Sequence, residues 1–127
     1  MSASSDRDAI PQFALRLVQQ ASPSGQEGAV ADLIRAELAD LGFEVETDRL
    51  GNVIGTLDAG TGPCVLLDCH MDTVGIGDRA AWSRDPAGVV DGGRLYGRGA
   101  MDMKGPLAAC RGRSLHAFMV WRRCALG

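Results

Sequence analysis

Residues 64–72, Cys64-Val65-Leu66-Leu67-Asp68-Cys69-His70-Met71-Asp72, join a short apolar run to a group of polar side chains at its end. An apolar run of this length predicts a strand that is covered on both faces. His70 and Asp72 are two residues apart, so in an extended chain their side chains point the same way. An imidazole held by a carboxylate is a common way to present a metal ligand. The competing interpretation is a histidine that is simply hydrogen-bonded at a strand end.

A second polar motif lies in the glycine-rich segment 97–105, Gly97-Arg98-Gly99-Ala100-Met101-Asp102-Met103-Lys104-Gly105. Its three glycines permit positive φ and close approach of the backbone to a neighbour. A helix is predicted to open near Pro106, and Asp102 alone would also fit a cap of that helix. Gly97-Arg98-Gly99 lacks the spacing of a nucleotide-binding loop, which argues against nucleotide binding.

Outward from these motifs, the apolar pattern predicts two helices in the first part of the chain. One covers residues 8–20, with Pro11 tolerated in its first turn. The second ends at Gly42, and Ser24-Gly25-Gln26-Glu27 fits a capping box ahead of it. The apolar residues of the second helix recur at helical spacing; they are Val30, Leu33, Ile34, Leu38 and Leu41.

Alternation of apolar and polar residues predicts two hairpins. The first joins residues 43–47 to residues 53–57 through Gly51-Asn52. The second covers residues 88–96, with Asp91-Gly92-Gly93 at its turn. Helices and strands in this order indicate an α/β fold, with a mixed sheet flanked by helices.

Composition narrows the class of protein. The chain has 127 residues, 46% of them hydrophobic, and a net charge of -3, which is typical of one soluble globular unit. It contains neither a long uncharged apolar run nor an apolar leader, so we expect a cytoplasmic protein with no membrane partner. An acidic chain without an aromatic platform argues against a nucleic-acid partner. The cysteines lack C-x-x-C spacing, which favours reduced thiols; they are Cys64, Cys69, Cys110 and Cys124.

Taken together, His70-Met71-Asp72 and the segment 97–105 closely resemble the zinc aminoacylase and carboxypeptidase family. That family includes acetylornithine deacetylase, succinyl-diaminopimelate desuccinylase and glutamate carboxypeptidase. The resemblance extends to Ser22-Pro23-Ser24-Gly25, to residues 48–53 and to the loop that contains Trp82. It implies the N-terminal part of a zinc-exopeptidase-like catalytic domain.

Two further segments, Gly75-Ile76-Gly77-Asp78 and Ala81-Trp82-Ser83, look most like one branch of this family. That branch is described as deacetylases of purine and selenium metabolism.

The resemblance also implies the site residues and the reaction. By it, His70 is a ligand of one metal, Asp102 is a carboxylate that bridges two metals, and Asp72 is the catalytic carboxylate that orients His70. The implied cofactor is Zn²⁺ in a two-metal site, with Co²⁺ or Mn²⁺ as alternatives. The implied reaction is metal-dependent hydrolysis of the amide or peptide bond of a small N-acyl amino acid or peptide. Intact members of the family form homodimers through an inserted domain.

The chain departs from the family's pattern after Asp102. The family's adjacent glutamates, one of them the general base, have no counterpart here, because the last glutamate is Glu46 and no aspartate follows Asp102. No segment of the given sequence resembles the family's dimerisation domain. We therefore expect residues 1–109 to form a partial, truncated catalytic domain that is inactive alone.

Residues 110–127 form a divergent basic tail with two open interpretations. One is a frameshift or premature end of the coding sequence. The other is a genuine short helix from Leu115 to Leu126, whose arginines surround an apolar patch. His116 is the only histidine after His70. A lone histidine in a basic tail is more often exposed to solvent than bound to a metal. A non-catalytic metal- or partner-binding fragment and a non-functional remnant are the alternatives to hydrolysis.

Overall fold

The computed structural model describes residues 3–58, 61, 64–111 and 117–122, and of residues 3–7 and 117–122 it describes the backbone alone. Within these residues the chain forms three α-helices and six strands. In chain order they are α1 (Ala3–Gln19), α2 (Gly28–Asp40), β1 (Glu44–Thr47), β2 (Val53–Thr56), β3 (Val65–His70), β4 (Val89–Asp91), β5 (Arg94–Tyr96), α3 (Gly105–Ala109) and β6 (Ala117–Arg122).

Four of the strands form one mixed sheet, in the order β1-β2-β6-β3. Strands β1 and β2 are the first predicted hairpin, antiparallel with Glu44 opposite Thr56. Strand β6 runs antiparallel to β2 and parallel to β3. Strands β4 and β5 are the second predicted hairpin and form a separate sheet. Both hairpins and the mixed sheet are therefore confirmed.

Strand β6 corrects one interpretation of the tail. A helix from Leu115 to Leu126 is wrong for Ala117–Arg122, because these residues lie extended between β2 and β3. Without a strand there, β2 and β3 would each present an unpaired edge, and the run Phe118-Met119-Val120-Trp121 has high β-propensity. His116 and Cys124 lie outside the described residues.

Helix α1 begins earlier than its sequence pattern predicts. It starts at Ala3, so the placement of Pro11 in the first turn is wrong and this proline lies inside the helix. Proline cannot donate the backbone hydrogen bond of that turn. The helix nevertheless continues because Phe13, Leu17 and Val18 are buried on one face. No helix within the described residues is long and apolar enough to cross a membrane.

Helix α2 follows its predicted bounds, but its N-terminus differs from the prediction. Val30, Ile34 and Leu38 are buried as expected, and Gly42 follows the helix at φ 87°. The capping box is wrong, because the N-cap residue is Glu27 and no side chain caps the helix. Ser24 instead makes a tertiary hydrogen bond, described below.

The hydrophobic core gathers side chains from all three helices, from β2 and from the end of β3. The prediction that β3 is covered on both faces is wrong at its start, where Val65 is 41% and Leu66 57% exposed. The core lies against the other end of the strand, where Cys69 is 4% exposed and Met71 is fully buried. Burial is therefore concentrated next to His70.

Three of the cysteines are described, and all three are free thiols, as predicted. Cys69 lies 3.9 Å from Cys110, measured between the sulfur atoms. Burial, together with the neighbouring Cys110, raises the pKa of the Cys69 thiol to about 12.

Ser22 connects the end of α1 to the end of β3. Its side chain is fully buried, and its Oγ donates a hydrogen bond of 2.8 Å to the carbonyl oxygen of Met71. Its own carbonyl accepts a hydrogen bond of 2.8 Å from the backbone N–H of Thr73. These two bonds hold the backbone on either side of Asp72.

We predict that Ser22→Ala lowers the free energy of unfolding by about 1–3 kcal/mol, because the buried carbonyl of Met71 loses its donor. Urea denaturation followed by circular dichroism measures the change. Ser83→Ala is the control, since Ser83 is exposed and the expected change is within about 0.5 kcal/mol. Equal losses in the two variants would contradict this role for Ser22.

Asp48 organises the turn between β1 and β2. Its carboxylate accepts hydrogen bonds from the backbone N–H groups of Leu50 and Asn52, at 2.8 and 2.9 Å, and from Asn52 Nδ2 at 2.7 Å. These bonds, the one from the Asn52 side chain foremost, lower the pKa of Asp48 below its ordinary value. The turn is therefore stabilised by the ionised carboxylate.

We expect the carboxyl carbon of Asp48 to titrate by NMR below the value of an unfolded aspartate. Because the folded-state pKa is the lower one, the stabilisation is complete above the unfolded-state pKa and is lost as the pH falls through the folded-state pKa. Asn52→Ala should raise the midpoint, whereas Leu50→Ala, which keeps its backbone N–H, should leave it in place. A midpoint that Asn52→Ala leaves unchanged would refute the assigned cause.

Candidate metal centre

The three candidate residues come from two segments that meet in space. His70 is the last residue of β3, Asp72 follows it by two, and Asp102 lies in the irregular turn Ala100–Lys104 that leads into α3. The structure places His70 Nε2 2.8 Å from Asp102 Oδ1, although the two residues are 32 apart in sequence. The juxtaposition is thus a product of tertiary structure.

Asp72 holds the other side of the imidazole. His70 Nδ1 lies 3.1 Å from the backbone carbonyl oxygen of Asp72 and 3.3 Å from its carboxylate Oδ1. The nearer acceptor is therefore the backbone carbonyl, whereas the family resemblance implies the carboxylate. Ser24 Oγ donates a hydrogen bond of 2.5 Å to Asp72 Oδ2, so Ser24 fixes this carboxylate instead of capping α2.

The surroundings of the His70 imidazole act on its pKa in opposite directions. Burial opposes protonation of His70, but the hydrogen bonds to Asp102 and to the Asp72 carbonyl, with the charges of both carboxylates, outweigh it and raise the pKa of His70. The two carboxylates differ in exposure: the side chain of Asp72 is 14% exposed and that of Asp102 is 85% exposed. Asp102 therefore faces the solvent-accessible cleft.

Glycines bring the segment 97–105 close to the end of β3, as its sequence predicts. Gly99 has φ 81°, and a Cβ added there would lie 2.5 Å from Thr73 Cγ2. Asp102 has extended backbone angles, φ −124° and ψ 96°, and the Asp102–Met103 peptide bond is cis. The interpretation of Asp102 as a helix cap is wrong, because the N-cap residue of α3 is Lys104.

Lys104 is a structural residue that sequence reasoning missed. Its side chain is only 1% exposed, and its Nζ donates a hydrogen bond of 2.6 Å to the carbonyl oxygen of Gln20 at the end of α1. Burial lowers the pKa of Lys104 to about 8. One feature of the sequence could have predicted this burial. Lys104 stands between Met103 and the apolar start of α3, where side chains are expected to be buried.

The donor set fits a divalent metal ion. His70 and Asp102 line a cleft of about 280 Å³, and imidazole with carboxylate suits zinc. The two donor atoms, His70 Nε2 and Asp102 Oδ1, lie 2.8 Å from each other, so a cation in this cleft would meet both side chains. Among the described residues, no group of three or more histidine, cysteine or acidic side chains is arranged to hold a metal.

Comparison with known sequences points to one family. Residues 66–112 match the sequence model of Peptidase family M20/M25/M40. The chain is 41% identical over 120 residues to a succinyl-diaminopimelate desuccinylase from Methylobacterium sp. (strain 4-46). The match covers 87% of this chain and 30% of that relative. The chain thus spans about a third or less of the length of the curated relatives it matches.

Solved structures share the fold. An M20 family metallo-carboxypeptidase from Sulfolobus solfataricus matches with a TM-score of 0.81 at 18% identity, covering 90% of this chain and 30% of that one. Human carnosine dipeptidase 1 matches with a TM-score of 0.77 at 22% identity, covering 94% of this chain and 32% of that one. The predicted α/β fold, and the family resemblance itself, are confirmed.

We predict that Gly99→Ala destabilises the chain by about 2–4 kcal/mol, because a Cβ there adds a clash with Thr73 to the strain of positive φ. Gly42→Ala is the matched control: Gly42 has φ 87°, but nothing lies within 4 Å of the added Cβ. Gly42→Ala should destabilise the chain by only about 1 kcal/mol, the cost of placing a side chain at positive φ. Thermal and urea unfolding of both variants measure the difference, and equal costs would show that the close approach at Gly99 is unimportant.

Proposed function

Because this chain is related in sequence and fold to the N-terminal part of the M20/M25/M40 peptidases, we propose that it contributes metal ligands to a hydrolase of amide or peptide bonds. The observation that carries the proposal is the 2.8 Å contact between His70 Nε2 and Asp102 Oδ1. It joins the two sequence motifs at one cleft. The named relatives, a desuccinylase, a carboxypeptidase and a dipeptidase, support the class of bond.

In this proposal His70 and Asp102 are the ligands, and the preferred ion is Zn²⁺. A divalent cation bound there would polarise the amide carbonyl and lower the pKa of a water molecule. Asp102 Oδ2 makes no hydrogen bond within the described residues, so the carboxylate would be available to act as the bridging ligand. Asp72 orients His70 at Nδ1, which leaves Nε2 to contact Asp102 in this structure and would leave it for a cation in the proposed site. Ser24 in turn holds Asp72.

The proton acceptor for hydrolysis is not among the residues that line this cleft in the described structure. Their only carboxylates are Asp72 and Asp102, which already have the roles given above. The described glutamates lie elsewhere: Glu27 is buried, Glu37 is paired with Arg16 and Arg111, and Glu44 and Glu46 lie on β1, at the other edge of the sheet from β3. Hydrolysis therefore requires a base from outside the described cleft.

This lining favours a second candidate function, a metal-binding module without catalysis of its own. The chemistry of the two ligands is the same in both cases, so the two functions differ only in whether an amide bond is cleaved. Metal affinity and hydrolysis must therefore be measured separately.

We predict that the chain binds Zn²⁺ in competition with a chromophoric chelator, and that His70→Ala and Asp102→Ala each weaken binding at least about tenfold. His116→Gln and Asp40→Asn are the controls, since they remove the other histidine and an exposed carboxylate of α2. Both should bind as the native chain does. Native affinity in both ligand variants would exclude this site.

A second assay distinguishes the two functions. It measures the release of free amine from N-succinyl and N-acetyl amino acids and from dipeptides, with Zn²⁺, Co²⁺ or Mn²⁺ present. Cleavage that a chelator abolishes and that Asp102→Ala lacks supports the hydrolase. Zinc binding with no cleavage above metal in buffer supports the non-catalytic module.

A further inference from the structure

A second cavity, of about 430 Å³, lies beside the proposed metal centre. It is bounded by the end of α1, by the segment that follows Asp72, and by the loop before β4. Much of its wall is apolar; the residues concerned are Val18, Val74, Ile76, Pro86 and Ala87. A volume of this size is typical of sites for small organic molecules.

The polar part of the lining is mainly cationic. Arg79, Arg98 and Lys104 line the cavity, against one carboxylate, that of Asp85. Arg79 Nη2 lies 3.7 Å from Asp85 Oδ1, so these two charges offset each other. Within the described residues, neither Arg98 nor Lys104 has a carboxylate within salt-bridge distance, and Lys104 contacts the carbonyl of Gln20. The cavity therefore keeps excess positive charge.

Arg98 is the group with unused hydrogen-bonding capacity. Its guanidinium carbon lies 4.9 Å from the centroid of the Trp82 ring, and its backbone N–H donates to the carbonyl of Pro86 at 2.8 Å. The side-chain Nε is buried and has no hydrogen-bond partner. The enclosed Nε cannot reach a ligand in the cavity, whereas the two Nη groups are not enclosed and make no hydrogen bond within the described residues. A guanidinium can donate two parallel hydrogen bonds to a carboxylate, here from the Nη groups.

We propose that this cavity binds a small organic carboxylate, with its anionic oxygens at Arg98 and its apolar body along Val74 and Pro86. The apolar wall favours a carboxylate with an aliphatic body over inorganic phosphate, which would lose hydration without gaining apolar contact. Thr73, Val74 and Arg98 line both this cavity and the cleft of His70 and Asp102, so the bound carboxylate lies next to that cleft. Binding does not depend on a metal ion, and the site stands apart from the proposed hydrolysis.

The test titrates the intact chain with hexanoate, hexanamide and inorganic phosphate, in the presence of a metal chelator, and follows backbone amide signals by NMR. We expect hexanoate to shift the signals of Val74 and Ala87 and to bind about tenfold more tightly than hexanamide, which lacks the charge. Phosphate should bind more weakly than hexanoate. Equal affinity for hexanoate and hexanamide, or for hexanoate and phosphate, would overturn the proposal.

Substitutions test whether hexanoate binds in this cavity. Arg98→Gln should weaken hexanoate binding about tenfold, whereas Arg35→Gln, on the exposed surface of α2, should not. Because Arg98 also stacks on Trp82, Ala87→Trp provides an independent arm: it fills the cavity from its wall and should abolish hexanoate binding with Arg98 in place. Native affinity in Ala87→Trp, or a loss in Arg35→Gln as large as in Arg98→Gln, would exclude this cavity.

Discussion

The hydrogen bond from Lys104 Nζ to the carbonyl oxygen of Gln20, 2.6 Å long, fastens the glycine-rich segment to the end of α1. Enclosing an ammonium group is unfavourable unless it finds an acceptor, so the position of this segment depends on that carbonyl. Asp102 lies two residues before Lys104 and is thereby set opposite His70. The same lysine lines the neighbouring cavity, so one buried contact positions both the cleft and the cavity.

The segment Ser22-Pro23-Ser24 braces the other motif. Ser22 holds the backbone at Met71 and Thr73, Ser24 holds the carboxylate of Asp72, and Pro23 bridges to Thr73. The contacts approach His70 from the side away from Asp102. A short loop after α1 therefore determines how the imidazole is presented, although none of its residues contacts the imidazole through a described hydrogen bond.

Several features followed from the sequence because they depend on local spacing. The body of α2 and the hairpin at Gly51-Asn52 match their predicted patterns, since helical periodicity and alternation report burial within one element. The errors share a different cause. The motif at Ser24 is locally plausible as a helix cap, but its hydroxyl instead donates to the carboxylate of Asp72, 48 residues away in sequence. Exposure at Leu66 could not be predicted, because an apolar run does not reveal which end of a strand the core covers.

The sequence by itself determined the class of fold, the identity of the candidate residues His70, Asp72 and Asp102, and the family that they resemble. It could do so because residue type and short-range spacing are sufficient to recognise such motifs. Only the tertiary structure decided that His70 meets Asp102, that the nearest acceptor at Nδ1 is a backbone carbonyl, and that Lys104 is buried at Gln20. These contacts depend on packing, since two of them join residues 32 and 84 positions apart and the third depends on the bend of the backbone after β3.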